Sequence, residues 1–169
     1  MSRTIRNAAL TLLGTAALAQ PALAQSVTCQ QMAALQQSGK NHFADIDGGP
    51  DDPTDPIFTL STLMLDGAKA CHLDSLATTS PSYDCRWGGF GDEGSAEAAR
   101  LALRNQVVAC LPRGFHQTDK ANDSELSRNF YTRIWFGFLQ PTIIVGRSYS
   151  KRRRVYEVYF RYTMSLPED

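Results

Sequence analysis

The chain carries no excess charge of either sign: 17 Lys and Arg stand against 17 Asp and Glu in 169 residues. That balance excludes a polycationic nucleic-acid binder. It has no internal repeat and no glycine period of three, so it is not collagen-like. Beyond residue 24 it has no apolar run long enough for a bilayer-spanning helix, which excludes a multipass membrane protein. The Gly-x-Ser-x-Gly elbow of a serine hydrolase is missing, as is any C-x-x-C pair. Histidine is scarce: His42, His72 and His116 are the three, with neither H-x-x-x-H nor H-x-H spacing for a metal. What remains is 43% hydrophobic and 20% charged, the composition of a chain that folds.

The N-terminal segment reads as a secretory signal. Arg3 and Arg6 precede an apolar stretch from Ala8 to Ala19, and Ala22 and Ala24 supply small residues at the −3 and −1 positions. The stretch is about a dozen residues, short of the roughly 20 a spanning helix needs. Arg3 and Arg6 are not adjacent, against a twin-arginine signal, and Cys29 lies five positions beyond Ala24, preceded by Ser26-Val27-Thr28, against a lipoprotein anchor. The expectation is residues 1–24 removed, a single domain over 25–169, and a location in the periplasm or outside the cell. Removal takes two of the 17 basic side chains with it and leaves a slight acidic excess.

Four cysteines, Cys29, Cys71, Cys85 and Cys110, are an even set in a chain read as exported. That points to two structural disulfides rather than reactive thiols. Of the three connectivities, Cys29–Cys71 with Cys85–Cys110 is favoured, because Cys85 on a strand and Cys110 on a helix both point to the helix–sheet junction.

Local patterns give the element order. Thr28 with Gln31 is a capping box opening a helix, with Gly39 as its stop. Residues 41–55 read as a loop rich in Asp, Gly and Pro. Asp55-Pro56 then resembles a helix start, and Ile57, Leu60, Leu63 and Met64 recur at helical spacing, which predicts a second helix ending near Cys71. Tyr83, Cys85 and Trp87 alternate with Asp84, Arg86 and Gly88 as in a half-buried strand. Ser95 to Leu111 is the strongest helix, ended by Pro112 and Gly114, with Glu97 near its positive end. Residues 113–127 read as a polar loop. Three strands follow in quick succession, over 130–138, 142–149 and 156–164, with short turns that imply an antiparallel meander. The fold class expected is α+β: about three helices on one face of a four-stranded antiparallel sheet, in the order α-α-β-α-β-β-β.

Over residues 83–164 that order is similar to the cystatin-like and NTF2-like folds, in which a long helix crosses a curved antiparallel sheet. The glutamine-valine-glycine hairpin of cystatins is absent, with Ile143-Ile144-Val145-Gly146 in its place. The cone shape of such folds would imply a pocket between sheet and helices.

The remaining signals are weighed by their chemistry. Asp45-Ile46-Asp47-Gly48, with Asp51, Asp52 and Asp55, begins like a calcium loop, but Pro50 and Pro56 stand where an EF-hand needs Gly and Glu. It reads as a solvated acidic turn, and no metal or cofactor is assigned. Lys151-Arg152-Arg153-Arg154 sits at a hairpin tip, either shielding strand edges or attracting an anionic envelope component. Parity along the meander turns Ile134, Phe136, Val158 and Phe160 towards the helices. It turns Tyr131, Arg133, Trp135, Tyr159 and Arg161 outward, with Glu157 beside them. Aromatic and Arg side chains on an open sheet face suit a protein or glycan contact. They also suit plain cross-strand stacking.

The sequence therefore predicts an exported, disulfide-stabilised, non-enzymatic binding protein, an inhibitor or envelope accessory. It would use Tyr131, Arg133, Trp135, Arg152, Arg153, Arg154, Tyr159 and Arg161 against a protein or an anionic envelope component. Nucleic acid and membrane span are excluded, and the oligomeric state is open. The alternative is a small-ligand carrier or enzyme with a chamber between sheet and helices.

Overall fold

The computed structural model describes residues 26–52, 55–74, 80–137 and 141–164, with the backbone alone for 55–57. The signal read in residues 1–24 lies outside them, as does Phe138 at the end of the strand expected over 130–138. The elements are α1 (Cys29–Gly39), a 3-10 turn (Ala44–Ile46), β1 (Asp47–Asp52), β2 (Asp55–Ser61), β3 (Ala70–Asp74), β4 (Ser82–Phe90), α2 (Glu93–Ala109), β5 (His116–Asp123), β6 (Ser127–Trp135), β7 (Thr142–Ser150) and β8 (Val155–Thr163). The strands form one antiparallel sheet in the order β1-β2-β3-β4-β8-β7-β6-β5. The class is thus two α-helices with eight strands among the described residues, not three helices on four strands.

Three local readings account for the difference. The helix expected from Asp55 to Cys71 is β2, a connection over 62–69, and β3. Its helical spacing competed with Phe58, Thr59 and Thr62, residue types that favour the pleated backbone, and register with β3 settles the matter. The polar segments 41–55 and 113–127, read as loops, contain the two edge strands β1 and β5. Edge strands at the sheet rims lie beyond the cover of the helices, so they need no apolar side and leave no alternating pattern to read.

Both helices were legible. Thr28 Oγ1 accepts from the Gln31 amide and Gln31 Oε1 accepts from the Thr28 amide, which closes the capping box of α1. Asp92 caps α2 by accepting from the Ser95 amide at 2.8 Å, three residues ahead of the expected start. α2 lies against β4, β8 and β7. It buries Ala96, Leu103 and Val107 onto Tyr83, Trp87, Val158, Phe160, Val145 and Ile134 of the sheet. α1 adds Met32 and Leu35, and Phe43 closes the gap with an edge-on contact to Tyr162. The 62–69 connection crosses the same side: Leu65 is buried, the Leu63 carbonyl accepts from Tyr83 Oη and the Asp66 carbonyl accepts from Trp87 Nε1.

A polar clamp sits between α2 and the sheet. Glu97 is paired with Arg100 and with Arg147 of β7, which also reaches Glu93. Buried Arg100 donates to Thr132 Oγ1 at 2.8 Å, and Thr132 in turn donates to Asp119 of β5. Glu97 therefore serves the sheet contact rather than the helix N-terminus. The guanidinium of Arg100 first, and that of Arg147 after it, hold its carboxyl below the usual range.

Two disulfides are present, Cys29–Cys110 and Cys71–Cys85. The pairing favoured from the sequence is corrected on both counts. Cys71 lies on β3 directly opposite Cys85 of β4, both pointing into the core, and Cys110 caps α2 beside the start of α1. The error followed from placing Cys71 at a helix end. Two bridges fit an oxidising, exported environment. No helix among the described residues is long and apolar enough to cross a membrane.

Candidate functional site

The helices cover one side of the sheet, and among the described residues no element covers the other side of its central strands. Register places the open-side residues in rows that cross the strands. One row runs Tyr131 (β6), Gly146 (β7), Tyr159 (β8) and Arg86 (β4). The next runs Arg133, Ile144, Arg161, Asp84, His72 of β3 and Leu60 of β2. A third runs Trp135, Thr142, Thr163, Ser82, Asp74 and Phe58. Tyr131, Arg133, Trp135, Tyr159 and Arg161, predicted to share a face, do share it. Arg153 leans onto this face from the β7–β8 turn, where it pairs with Glu157. Arg152 and Arg154 of the same turn are exposed, and their side chains have no partner among the described residues.

Parity of β4 carried a further signal that sequence reasoning left unused. Asp84 and Arg86 alternate with buried Tyr83, Cys85 and Trp87, so they point to the open side. There Asp84 accepts from Arg86 Nε at 3.2 Å and from Arg161 Nε at 2.9 Å. This pairing spans distant parts of the chain, because β4 lies beside β8 in the sheet.

Two grooves cross this face. The first, of about 430 Å³, has Tyr159, Asp84, Arg86, Arg161, Glu157 and Arg153 on one side. Ser127, Asn129, Ser148 and Ser150 line the other side, with exposed Leu126 at the rim. The second, of about 380 Å³, shares Asp84, Arg86 and Arg161 and continues to His72, Asp74, Asp51 and Phe58. Tyr159 lies so close over Gly146 that a Cβ there would overlap its ring and hydroxyl. Burial pushes its hydroxyl up to about 12. β2 is inverted at the end of the second groove: Phe58 and Leu60 are exposed on the open side while Thr59 and Ser61 are buried.

On the opposite side an open groove of about 410 Å³ lies beside the start of α2, lined by Glu93, Arg128, Phe130, Arg147, Tyr149 and Tyr156, but directly beneath the helices there is less room. The space between sheet and helices is filled by Trp87, Tyr83, Tyr162, Phe43 and Phe160. An opening of about 140 Å³ lies between α1 and β7–β8, beside the Cys29–Cys110 bridge. Pockets that hold small ligands run from roughly 300 Å³.

The histidines are dispersed. His116 packs on Trp135 with ring centroids 5.6 Å apart, His72 stands 3.7 Å from Asp51, and His42 lies in a turn. The acidic stretch is spread over the 3-10 turn and β1, where Ser38 donates to Asp45 and the Gly49 amide to Asp47. Among the described residues no cluster of His, Cys, Asp or Glu is placed to hold a metal ion.

No known relative decides the matter. Neither a family model, nor a curated protein, nor a solved structure matches the chain.

Proposed function

We propose that this is an exported, disulfide-stapled binding protein that contacts a protein partner with the open face of its sheet. The observation that carries the reading is the alignment of Tyr131, Arg133, Trp135, Tyr159 and Arg161 on the uncovered side of adjacent strands. Tyr, Trp and Arg are the residues that dominate contact surfaces, because they join large area to directional donors. The charged groups of the first groove are committed to one another, Asp84 to Arg86 and Arg161 and Glu157 to Arg153, which favours recognition over catalysis. The filled space beneath the helices favours this reading over a carrier with an internal chamber.

Photo-crosslinking in the producing cell tests it. A benzophenone side chain at Tyr131 is expected to give a discrete protein adduct, and one at the exposed Ala98 of α2 is not. The Tyr131 adduct should disappear when Trp135 and Arg161 are both changed to Ala in a chain of unchanged melting temperature. Adducts from Ala98 alone, or a Tyr131 adduct indifferent to the double substitution, would overturn the reading.

A further inference from the structure

We infer that the first groove takes an acidic, extended segment of the partner, with carboxylates meeting the guanidinium groups of Arg86, Arg161 and Arg153. This rests on the open face being the contact surface and adds the chemistry of what lies there. The decisive feature is layering. In each ion pair of the groove the carboxylate lies beneath and the guanidinium on top: Asp84 is 13% exposed under Arg86 at 54% and Arg161 at 45%, and Glu157 is 15% exposed under Arg153 at 59%. The buried acids hold the forks in place without covering them.

Donors are left over. Arg86 uses its Nε on Asp84, and Arg161 uses Nε and one terminal nitrogen, so both keep terminal N–H groups facing solvent. A guanidinium fixed in orientation loses less freedom on meeting a second carboxylate, and the charge-assisted bond it forms is among the stronger ones. Three guanidiniums against two carboxylates leave the groove cationic. Arg133, in the row of Arg161 and with its guanidinium over the Trp135 ring, extends that character.

The footprint follows from geometry. Arg161 and Glu157, under Arg153, are four positions apart on β8, about 13 Å along a strand. That is the separation of side chains four positions apart in an extended peptide. Ser127, Asn129, Ser148 and Ser150 on the facing wall supply neutral partners, and Leu126 at the rim supplies an apolar contact that a bare polyanion would not use. The second groove turns the segment away, because Asp51 and Asp74 line its far end.

The test uses the oxidised chain and a capped nonapeptide of alternating Thr and Glu. A Thr/Gln peptide, a sulfated oligosaccharide and phosphatidylglycerol vesicles serve as the other arms. The Glu peptide is expected to shift the arginine Nε–H signals of Arg86 and Arg161 saturably, more weakly at higher salt. The affinity should fall about tenfold in Arg86→Gln/Arg161→Gln. Arg153→Gln, on the exposed β7–β8 turn and still able to donate to Glu157, should show a similar loss with the fold retained. Equal binding of the Gln peptide, no shift, or binding of only the oligosaccharide or the vesicles would overturn the inference. If Tyr131 still crosslinks to a partner in that event, the open face stands as the contact surface and only the acidic segment falls.

Discussion

Tyr159 lies across Gly146 of the neighbouring strand, in the space that a side chain at 146 would occupy. The ring thereby forms part of the first groove and is held half-buried. Gly146→Ala should push the ring away and cost about 1–3 kcal/mol, the range for overpacking a filled site. In a Tyr159→Ala background the same change should cost much less. Urea unfolding of the four chains of this cycle measures the coupling, and strict additivity would show that the contact is not energetic.

The disulfides give a covalent prediction. Peptide mapping of non-reduced protein should recover Cys29 joined to Cys110 and Cys71 joined to Cys85. Replacing the first pair by Ser should cost about 4.5 kcal/mol and the second about 3, if restriction of the unfolded chain dominates. The order follows from the separations of 81 and 14 residues. A reversed order in urea unfolding would mean that native packing around Cys71 and Cys85, not loop length, sets their worth.

The parts of this fold that were legible are those where local and tertiary signals agree. The Thr28/Gln31 box, the Ala- and Leu-rich α2, and the alternation of Tyr83, Cys85 and Trp87 each carry a strong local pattern, and parity alone placed Tyr131, Arg133, Trp135, Tyr159 and Arg161 on one face. Two kinds of segment escaped. β2 presents Phe58 and Leu60 outward and hides Thr59 and Ser61, so its apolar spacing mimicked a helix and its pleat was inverted. β1 and β5 are rim strands whose side chains are nearly all exposed, and their only structural signal is backbone pairing with a neighbour. The Asp84–Arg161 contact needed the β4–β8 adjacency, which no local pattern encodes.

The clamp at Glu97 predicts acid sensitivity. Its carboxyl is held below the ordinary value of 4.5 by hydrogen bonding to Arg100, then Arg147. A lowered folded value contributes stability that is present above 4.5 and lost as pH falls through the folded value. Glu97→Gln should therefore cost about 2 kcal/mol at pH 7, leaving two guanidiniums short of a partner. Its stability should decline less steeply below pH 4.5 than that of the wild type. Urea midpoints measured from pH 7 to pH 3 check this, and parallel curves for the two chains would assign acid sensitivity to other groups.

At the alkaline end the tyrosines dominate. Burial raises the hydroxyls of Tyr83, Tyr159 and Tyr162 above the ordinary value of 10.0. A raised folded value contributes stability that is complete below 10 and lost as pH climbs through the folded value, about 12 for Tyr159. Phenolate absorbance from these three should thus appear together with unfolding rather than ahead of it. Two of them separate by their partners: Tyr83 donates to the Leu63 carbonyl at 2.8 Å, whereas the buried hydroxyl of Tyr162 has no partner among the described residues. Tyr83→Phe should cost about 1 kcal/mol, and Tyr162→Phe should be neutral or stabilising by a similar amount, since it removes a desolvated group that makes no bond. Thermal unfolding at pH 7 distinguishes them. A Tyr162→Phe chain that melts well below the wild type would mean that this hydroxyl is satisfied in solution by a trapped water.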